Sequence, residues 1–253
     1  MSSKLTISLQ CHNFQRRLCW MLSSLAQQKF PELITLSIAY IPGNGRPTTE
    51  QLCDLFSNTI HIRRTEFTDY HVFQRRGLIR NDHLRECQTD WLMFGDCDMV
   101  YHPEYFLRLI EELETNHKEA RYITSSGRMS NPKDETEAMI TKYVTDSAVQ
   151  VLGAFSIADQ LPKREMHNCG AGFCQIINTQ FCAHDGYYVD PMTCRDWDWE
   201  KRGSNPKSDM QFRRRVSVNG GARRSLPHWF TETAIHLNHD RDPEAGKHLE
   251  TQR

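Results

Sequence analysis

A chain of 253 residues with 38% hydrophobic and 25% charged residues has the composition of a folded globular protein, which excludes disordered, coiled-coil and collagen-like chains. Its 31 Lys and Arg against 32 Asp and Glu, a formal net charge of -1, remove the general electrostatic reason to expect nucleic acid or an anionic membrane as partner. No run approaches the roughly 18 apolar residues of a membrane span, and no apolar signal segment precedes the first strand-like run, so a cytoplasmic protein is expected.

Residues 5–9 form a β-prone run, and after Asn13 the residues Leu18, Met21, Leu22 and Leu25 recur at helical spacing, which predicts a βα unit. Residues 33–41 are nearly continuous in apolar and β-branched side chains, the pattern of a strand covered on both faces. That strand runs into Pro42-Gly43-Asn44-Gly45, a strong turn signal. A helix is expected over 49–57, a short strand over 59–62, a polar connection through Arg75-Arg76-Gly77 and a helix over 78–88. The compact apolar run 91–95 predicts a buried strand that leads directly into Asp96-Cys97-Asp98. Pro103 then marks a helix start, with Phe106, Leu109, Ile110 and Leu113 on one face.

The second half predicts a strand at 121–124, a helix over 134–150, an apolar strand at 173–177, a helix over 209–218 and a last strand at 233–237. Strands alternating with helices over about a hundred residues imply an α/β fold with a mostly parallel, twisted sheet. With no internal repeat or low-complexity linker, a single domain over 1–253 is expected, its first half spanning 1–100 and its second 101–253. The nine cysteines include no CxxC pair, so reduced thiols are expected. Cys169, Cys174, Cys182 and His184 have spacings that match no common zinc knuckle.

Asp96-Cys97-Asp98 carries the most chemistry. Ligands of open α/β sheets bind beyond the carboxyl ends of the strands, where these two acids would sit. Their hard oxygens suit Mg²⁺ or Mn²⁺, ions that bridge carboxylates to diphosphates, although Asp is also common at a helix N-terminus.

The run from Arg80-Asn81 through Trp91-Leu92-Met93-Phe94-Gly95-Asp96-Cys97-Asp98 to Pro103-Glu104-Tyr105-Phe106 resembles the central segment of GT-A glycosyltransferases, particularly family 2. Ser8 to Phe14 followed by Leu22-Ser23-Ser24-Leu25 is similar to that family's opening strand, its Asn and its first helix. The resemblance implies a GT-A fold: a Rossmann-like, mostly parallel sheet flanked by helices, with a mixed acceptor-side second half. It further implies a nucleotide-sugar site that includes Asn13, Arg80, Asp96, Cys97 and Asp98, with Asp98 ligating the metal and Asp96 holding the ribose or the metal through water.

Gly170-Ala171-Gly172-Phe173 and Asp185-Gly186-Tyr187-Tyr188 look like the family's glycine-rich acceptor-side strand and turn, where glycine lets a backbone approach a sugar closely. Two acids compete for the general base that family members carry. Asp209, ahead of Phe212 and Arg213, is favoured by the helix pattern; Asp196 is the second candidate, and Asp198 would then face the acceptor. Neither candidate is preceded by the family's Glu, and Asp209 would serve equally as a helix N-cap.

His236 and His239-Asp240-Arg241-Asp242 are similar to the late metal-site histidine of the β-1,4-galactosyltransferase group, His239 being preferred. Imidazole ligands favour Mn²⁺ over Mg²⁺. Tyr187, Tyr188, Trp197, Trp199 and Trp229 fit either an acceptor cleft or core packing. Arg213 to Arg215, Arg223 and Arg224 fit phosphate contacts or a solvated face. The family's Asp after the second strand is missing, since Ala39-Tyr40-Ile41-Pro42 stands there, so base recognition is not carried over.

The resemblance therefore implies a hexosyltransferase-type enzyme that moves a sugar from a nucleotide-diphosphate donor, UDP-linked by preference, to a carbohydrate or other hydroxyl acceptor with inversion. A noncatalytic nucleotide-sugar or carbohydrate-binding protein is the alternative. A sugar nucleotidyltransferase fits less well, because Gln10-Cys11-His12-Asn13-Phe14 is no glycine-rich phosphate loop.

Overall fold

The computed structural model describes residues 3–69, 73, 76–125, 127–167, 173–182 and 224–239. Its first half runs β1 (Leu5–Cys11), α1 (Gln15–Ala26), β2 (Ile34–Tyr40), α2 (Thr49–Phe56), β3 (His61–Glu66), α3 (Arg76–Glu86), β4 (Trp91–Gly95), β5 (Met99–Tyr101) and α4 (Tyr105–Asn116). The second half adds β6 (Tyr122–Thr124), β7 (Gly127–Ser130), α5 (Lys133–Tyr143), α6 (Ala154–Gln160), β8 (Arg164–His167), β9 (Cys174–Asn178), α7 (Thr179–Cys182), β10 (Arg224–Ser225), α8 (Trp229–Glu232) and β11 (Ala234–His236).

The strands form a seven-stranded sheet in the order β10-β6-β9-β4-β1-β2-β3 and a four-stranded sheet in the order β5-β11-β7-β8. β1 lies parallel to β2 and β4, and β2 parallel to β3. β9 runs antiparallel to both β4 and β6, which makes the larger sheet mixed on its second-half side. This is the α/β architecture that the alternation of strands and helices predicts.

Period-two alternation divides the strands between the two faces of the larger sheet. Leu5, Ile7, Leu9, Trp91 and Met93 enter the main core with Leu18, Met21, Leu22 and Leu25 of α1 and Leu109 and Leu113 of α4. Leu92 and Phe94 enter a second cluster with Leu84 of α3, Tyr122 and Ile177. On this second face β1 turns polar, and the polar groups pair across the layer: Thr6 Oγ1 lies 2.8 Å from Thr89 Oγ1, and Ser8 Oγ 2.7 Å from His83 Nδ1. The edge strand β3 carries His61, Arg63, Arg64 and Glu66, charged and polar groups that discourage pairing with another chain.

Among the described residues no helix is long and apolar enough to cross a membrane.

His83 is 1% exposed, and burial pushes its imidazole down from 6.5 to about 4, with Asp82 opposing and Arg80 adding to the shift. The folded protein thus binds this proton less readily than the unfolded chain, so stability is lost as the pH falls from 6.5 toward 4. About 2 kcal/mol is lost from this group by pH 5. We expect a drop in the urea midpoint between pH 7 and pH 5, and a smaller drop in His83→Gln; equal drops in the two proteins would remove His83 as the cause.

Several elements differ from the sequence expectation. β3 begins at His61, not at 59, because Thr59 and Ile60 close α2: both amides donate to Phe56 O, at 3.0 and 2.9 Å, and Ile60 is buried. α3 starts at Arg76, within the stretch expected as a polar connection. The helix expected over 134–150 ends at Tyr143. Polar side chains of α1 and of Gln27, which caps it, hold the chain that follows: Cys19 Sγ donates to Val149 O at 2.8 Å, Val151 N donates to Ser23 Oγ at 2.9 Å, and Gln27 Nε2 donates to Val151 O at 2.8 Å. These contacts give that backbone partners outside a helix. The short strands β5, β7 and β8 and the helix α6 are additions that the sequence pattern does not reveal.

Candidate metal centre

β4 delivers Asp96, Cys97 and Asp98 to the carboxyl edge of the larger sheet, and the chain enters β5 of the smaller sheet at once. β5 pairs antiparallel with β11, with Met99 opposite His236, and Leu237 N donates to Asp98 O at 2.8 Å. The ladder therefore brings together residues 138 positions apart. His236 Nε2 lies 3.2 Å and His239 Nε2 2.9 Å from Asp98 Oδ2. Each of the three residues offers one ligand atom, and these atoms lie within 4.8 Å of one another.

Asp98 and His236 are each 7% exposed, and His239 is half-buried. Burial alone would raise the Asp98 carboxyl, but the hydrogen bonds and charge of His236 and His239 outweigh it and hold the group below the usual carboxylate range. Asp98 Oδ1 is buried with no hydrogen-bond partner among the described residues. An orphaned carboxylate oxygen beside two imidazoles fits a divalent cation. One carboxylate and two histidines suit Mn²⁺ and its first-row neighbours better than Mg²⁺. His236 has a support of its own: β11 lies parallel to β7 with His236 opposite Ser130, and Ser130 Oγ stands 3.1 Å from His236 Nδ1. A proton on Nδ1 leaves the Nε2 lone pair directed at the cluster.

Asp96 does not join the three. Its Oδ2 faces Arg128 Nη1 at 3.5 Å. Burial first, and then the charge of Asp98, raise its carboxyl above the ordinary value, against Arg128, Arg76 and Arg80. Arg128 lies over the Phe173 ring at 5.1 Å, and Arg80, only 8% exposed, over Phe94 at 5.1 Å. Cationic groups thus stand beside the acidic turn. Cys97 is buried, and its hydrogen bond with Cys11, together with burial, pushes the thiol well up, which makes it an inert packing group.

Asn13 adopts φ 60°, a left-handed conformation that Asn tolerates better than most residues. Its Oδ1 accepts from Asn44 Nδ2 at 3.1 Å, and Asn44 Nδ2 also lies 2.7 Å from His12 Nδ1. The loops after β1 and β2 are tied together at the same edge of the sheet.

The remaining expected positions are Asp209 and Asp196 for the base and Gly172, Tyr187, Trp197 and Asp198 for the acceptor. All lie outside the described residues, as do Tyr188, Trp199, Arg213 to Arg215, Arg223, Cys169, His184 and the helix expected over 209–218. Cys174 is buried in β9, where burial pushes its thiol up to about 12. Trp229 packs against Arg108 at 4.4 Å, Phe230 at 5.0 Å and His102 at 6.2 Å, so of the two readings open for it, scaffold packing is the one its contacts favour. Ser130 and Arg128 escape sequence reasoning. Both sit on β7, a four-residue strand whose partners lie about a hundred residues away in the chain or more than thirty, beyond the reach of local periodicity.

No family model matches the chain, and no curated protein matches it in sequence. Solved structures do match. S. aureus TarS 1-349 in complex with UDP-GlcNAc superposes with a TM-score of 0.62 at 13% identity, covering 99% of this chain and 61% of that one. Its complex with UDP gives 0.59 at 14% identity, covering 97% and 63%. The mannosyltransferase PcManGT from Pyrobaculum calidifontis, in complex with GDP-Man and Mn²⁺, gives 0.59 at 11% identity, covering 100% and 62%. The chain spans about three-fifths of the length of these proteins. At such identities the likeness shows the fold, a GT-A fold.

Proposed function

We propose that this chain is a metal-dependent GT-A glycosyltransferase that moves a hexosyl group from a UDP-linked donor to an acceptor hydroxyl, with inversion. The observation that carries the reading is the cluster of buried Asp98 and His236 with half-buried His239 at the carboxyl edge of β4 in a GT-A fold. Three of the solved structures it matches are complexed with UDP, UDP-GlcNAc or GDP-Man, one of them with Mn²⁺, which supports a nucleotide-sugar donor.

In this reading Asp98, His236 and His239 hold Mn²⁺, with Mg²⁺ the alternative. When bound, the ion supplies Lewis-acid stabilisation of charge on the leaving diphosphate. Asp96, oriented by Arg128, accepts a hydrogen bond from the donor ribose, and Arg80 and Arg128 add positive potential beside the phosphates. Asn13 and Cys97 shape the floor of the donor site, Asn13 by joining the loops after β1 and β2. Asp209, with Asp196 as second candidate, takes the acceptor proton, and Gly172, Tyr187, Trp197 and Asp198 line the acceptor side. Direct displacement assisted by such a base inverts the anomeric carbon.

A hydrolysis screen over UDP-, GDP- and CMP-sugars, with and without Mn²⁺, tests the reading. We expect turnover of a UDP-sugar that requires Mn²⁺ and ceases on chelation. Tight calorimetric binding of UDP with Mn²⁺ but no turnover of any donor would instead identify a noncatalytic nucleotide-sugar-binding protein, and absence of both would overturn the reading.

A further inference from the structure

His236 and His239 are held in place by different means. His236 ends β11 and is fixed by the ladder and by Ser130. His239 lies three residues beyond the end of β11, where its amide donates to the side chain of Asn238 at 2.9 Å. The backbone leading to it is gripped from α1. Arg17 stands in the first turn of that helix, one residue before the core residue Leu18, and is 8% exposed. An arginine so buried is costly unless its donors are used.

Its donors converge on the segment that carries His239. Arg17 Nε donates to Leu237 O at 3.2 Å, and Nη2 donates to Asn238 O at 3.2 Å and to the carboxylate of Glu137. The guanidinium lies 5.7 Å from the centroid of Phe14, and Phe14 meets the His239 imidazole edge to face, centroids 4.5 Å apart at 68°. One planar fork thus fixes two successive carbonyls while its aromatic neighbour fixes the ring that follows. Lysine, a single point charge, has no such fork.

We propose that Arg17 is a positioning residue of the metal centre: by holding the carbonyls of Leu237 and Asn238 it sets the His239 Nε2 against Asp98. The proposal rests on the reading of Asp98, His236 and His239 as a metal site. Arg17 is not one of the three ligand residues, and in this role it acts through His239.

The test is Mn²⁺ binding to the whole chain, followed by the loss of the free-ion signal in electron paramagnetic resonance, with the metal-free unfolding midpoint as a check on folding. Arg17→Met keeps the aliphatic stem and should weaken Mn²⁺ binding about 10- to 100-fold, the range for residues that orient metal ligands. Arg17→Lys should recover only part of the loss, and it serves as the second variant if Arg17→Met does not fold. In a His239→Gln background the effect of Arg17→Met should shrink to about twofold or less, because a residue that acts through His239 has nothing left to position.

Wild-type affinity in both Arg17 variants, or an undiminished effect of Arg17→Met in the His239→Gln background, overturns the role of Arg17 while leaving the metal centre standing. A wild-type protein that takes up no Mn²⁺ overturns the metal-centre reading, and this proposal with it.

Discussion

Asp98→Asn is expected to lower kcat/KM for Mn²⁺-dependent donor turnover by on the order of 10³-fold, about 4 kcal/mol of transition-state stabilisation. The substitution is close to isosteric, so the β5 and β11 ladder, which uses the backbone carbonyl of residue 98, is retained. What it removes is the negative charge on which His236 and His239 converge, and it turns one of the two carboxylate oxygens, of which Oδ1 has no partner among the described residues, into an amide nitrogen. A neutral amide is a poor ligand for a hard divalent ion and presents a donor to imidazoles that would then compete for the wrong proton. Steady-state kinetics over a Mn²⁺ titration check the effect. Chelation should cut wild-type turnover to the level of the variant while leaving the variant unchanged. If Asp98→Asn turns over donor at the wild-type rate, the acidic turn is scaffold and the proposed chemistry is wrong.

Trp20→Ala is expected to cost about 3 to 5 kcal/mol of folding stability, the usual range for deleting a fully buried indole. Trp20 is 0% exposed on α1 and packs edge to face on Tyr143 of α5, centroids 5.6 Å apart at 85°. Its loss opens a cavity between two helices that the sheet does not allow to close, and the melting temperature should fall by roughly 6 to 20 °C. Trp20→Phe should be far milder, within about 1.5 kcal/mol. The indole Nε1 is buried without an acceptor among the described residues, so phenylalanine removes an unsatisfied donor along with some packing area. Calorimetry on the three proteins separates the cases. Equal destabilisation by Ala and Phe would show that an unseen hydrogen bond of the indole, rather than its volume, is what matters.

Much of the first half is legible because β1, β2 and β4 are buried on both faces. β2 is buried at every position and β4 likewise, so β4 appears in the sequence as an unbroken apolar run and β2 as a nearly continuous run of apolar and β-branched residues. The acidic turn is legible for the same reason: a strand that ends abruptly in Asp-x-Asp marks the carboxyl edge of a parallel sheet, where α/β proteins gather their ligands.

Legibility declines where short strands carry mixed faces. Gly127-Arg128-Met129-Ser130 is buried only at its ends and shows no period, yet it supplies the groups that face Asp96 and His236. Arg17 is hidden for a different reason. In the sequence, beside Arg16 at the start of a helix, it has the look of a solvated charge, and only the tertiary structure shows that it is spent on carbonyls some 220 residues away. The helix expected over 134–150 overruns because helical periodicity in 144–150 is outweighed by α1 side chains that bind that backbone directly.

The pairing of β5 with β11 also sets the order in which the molecule can become competent. Asp98 and His239 are separated by 141 positions, and β6, β7, β8 and β9 lie between them in the chain. Closing so long a loop is an entropic cost met once, late, and all of the intervening sheet contacts lower it. A chain that has formed only its first parallel layer holds the aspartate but not its imidazoles, so the proposed metal site is complete only once β11 has paired with β5. A cation held by these residues would add its binding free energy to the folded state alone, tying the middle of the sequence to residues 236–239.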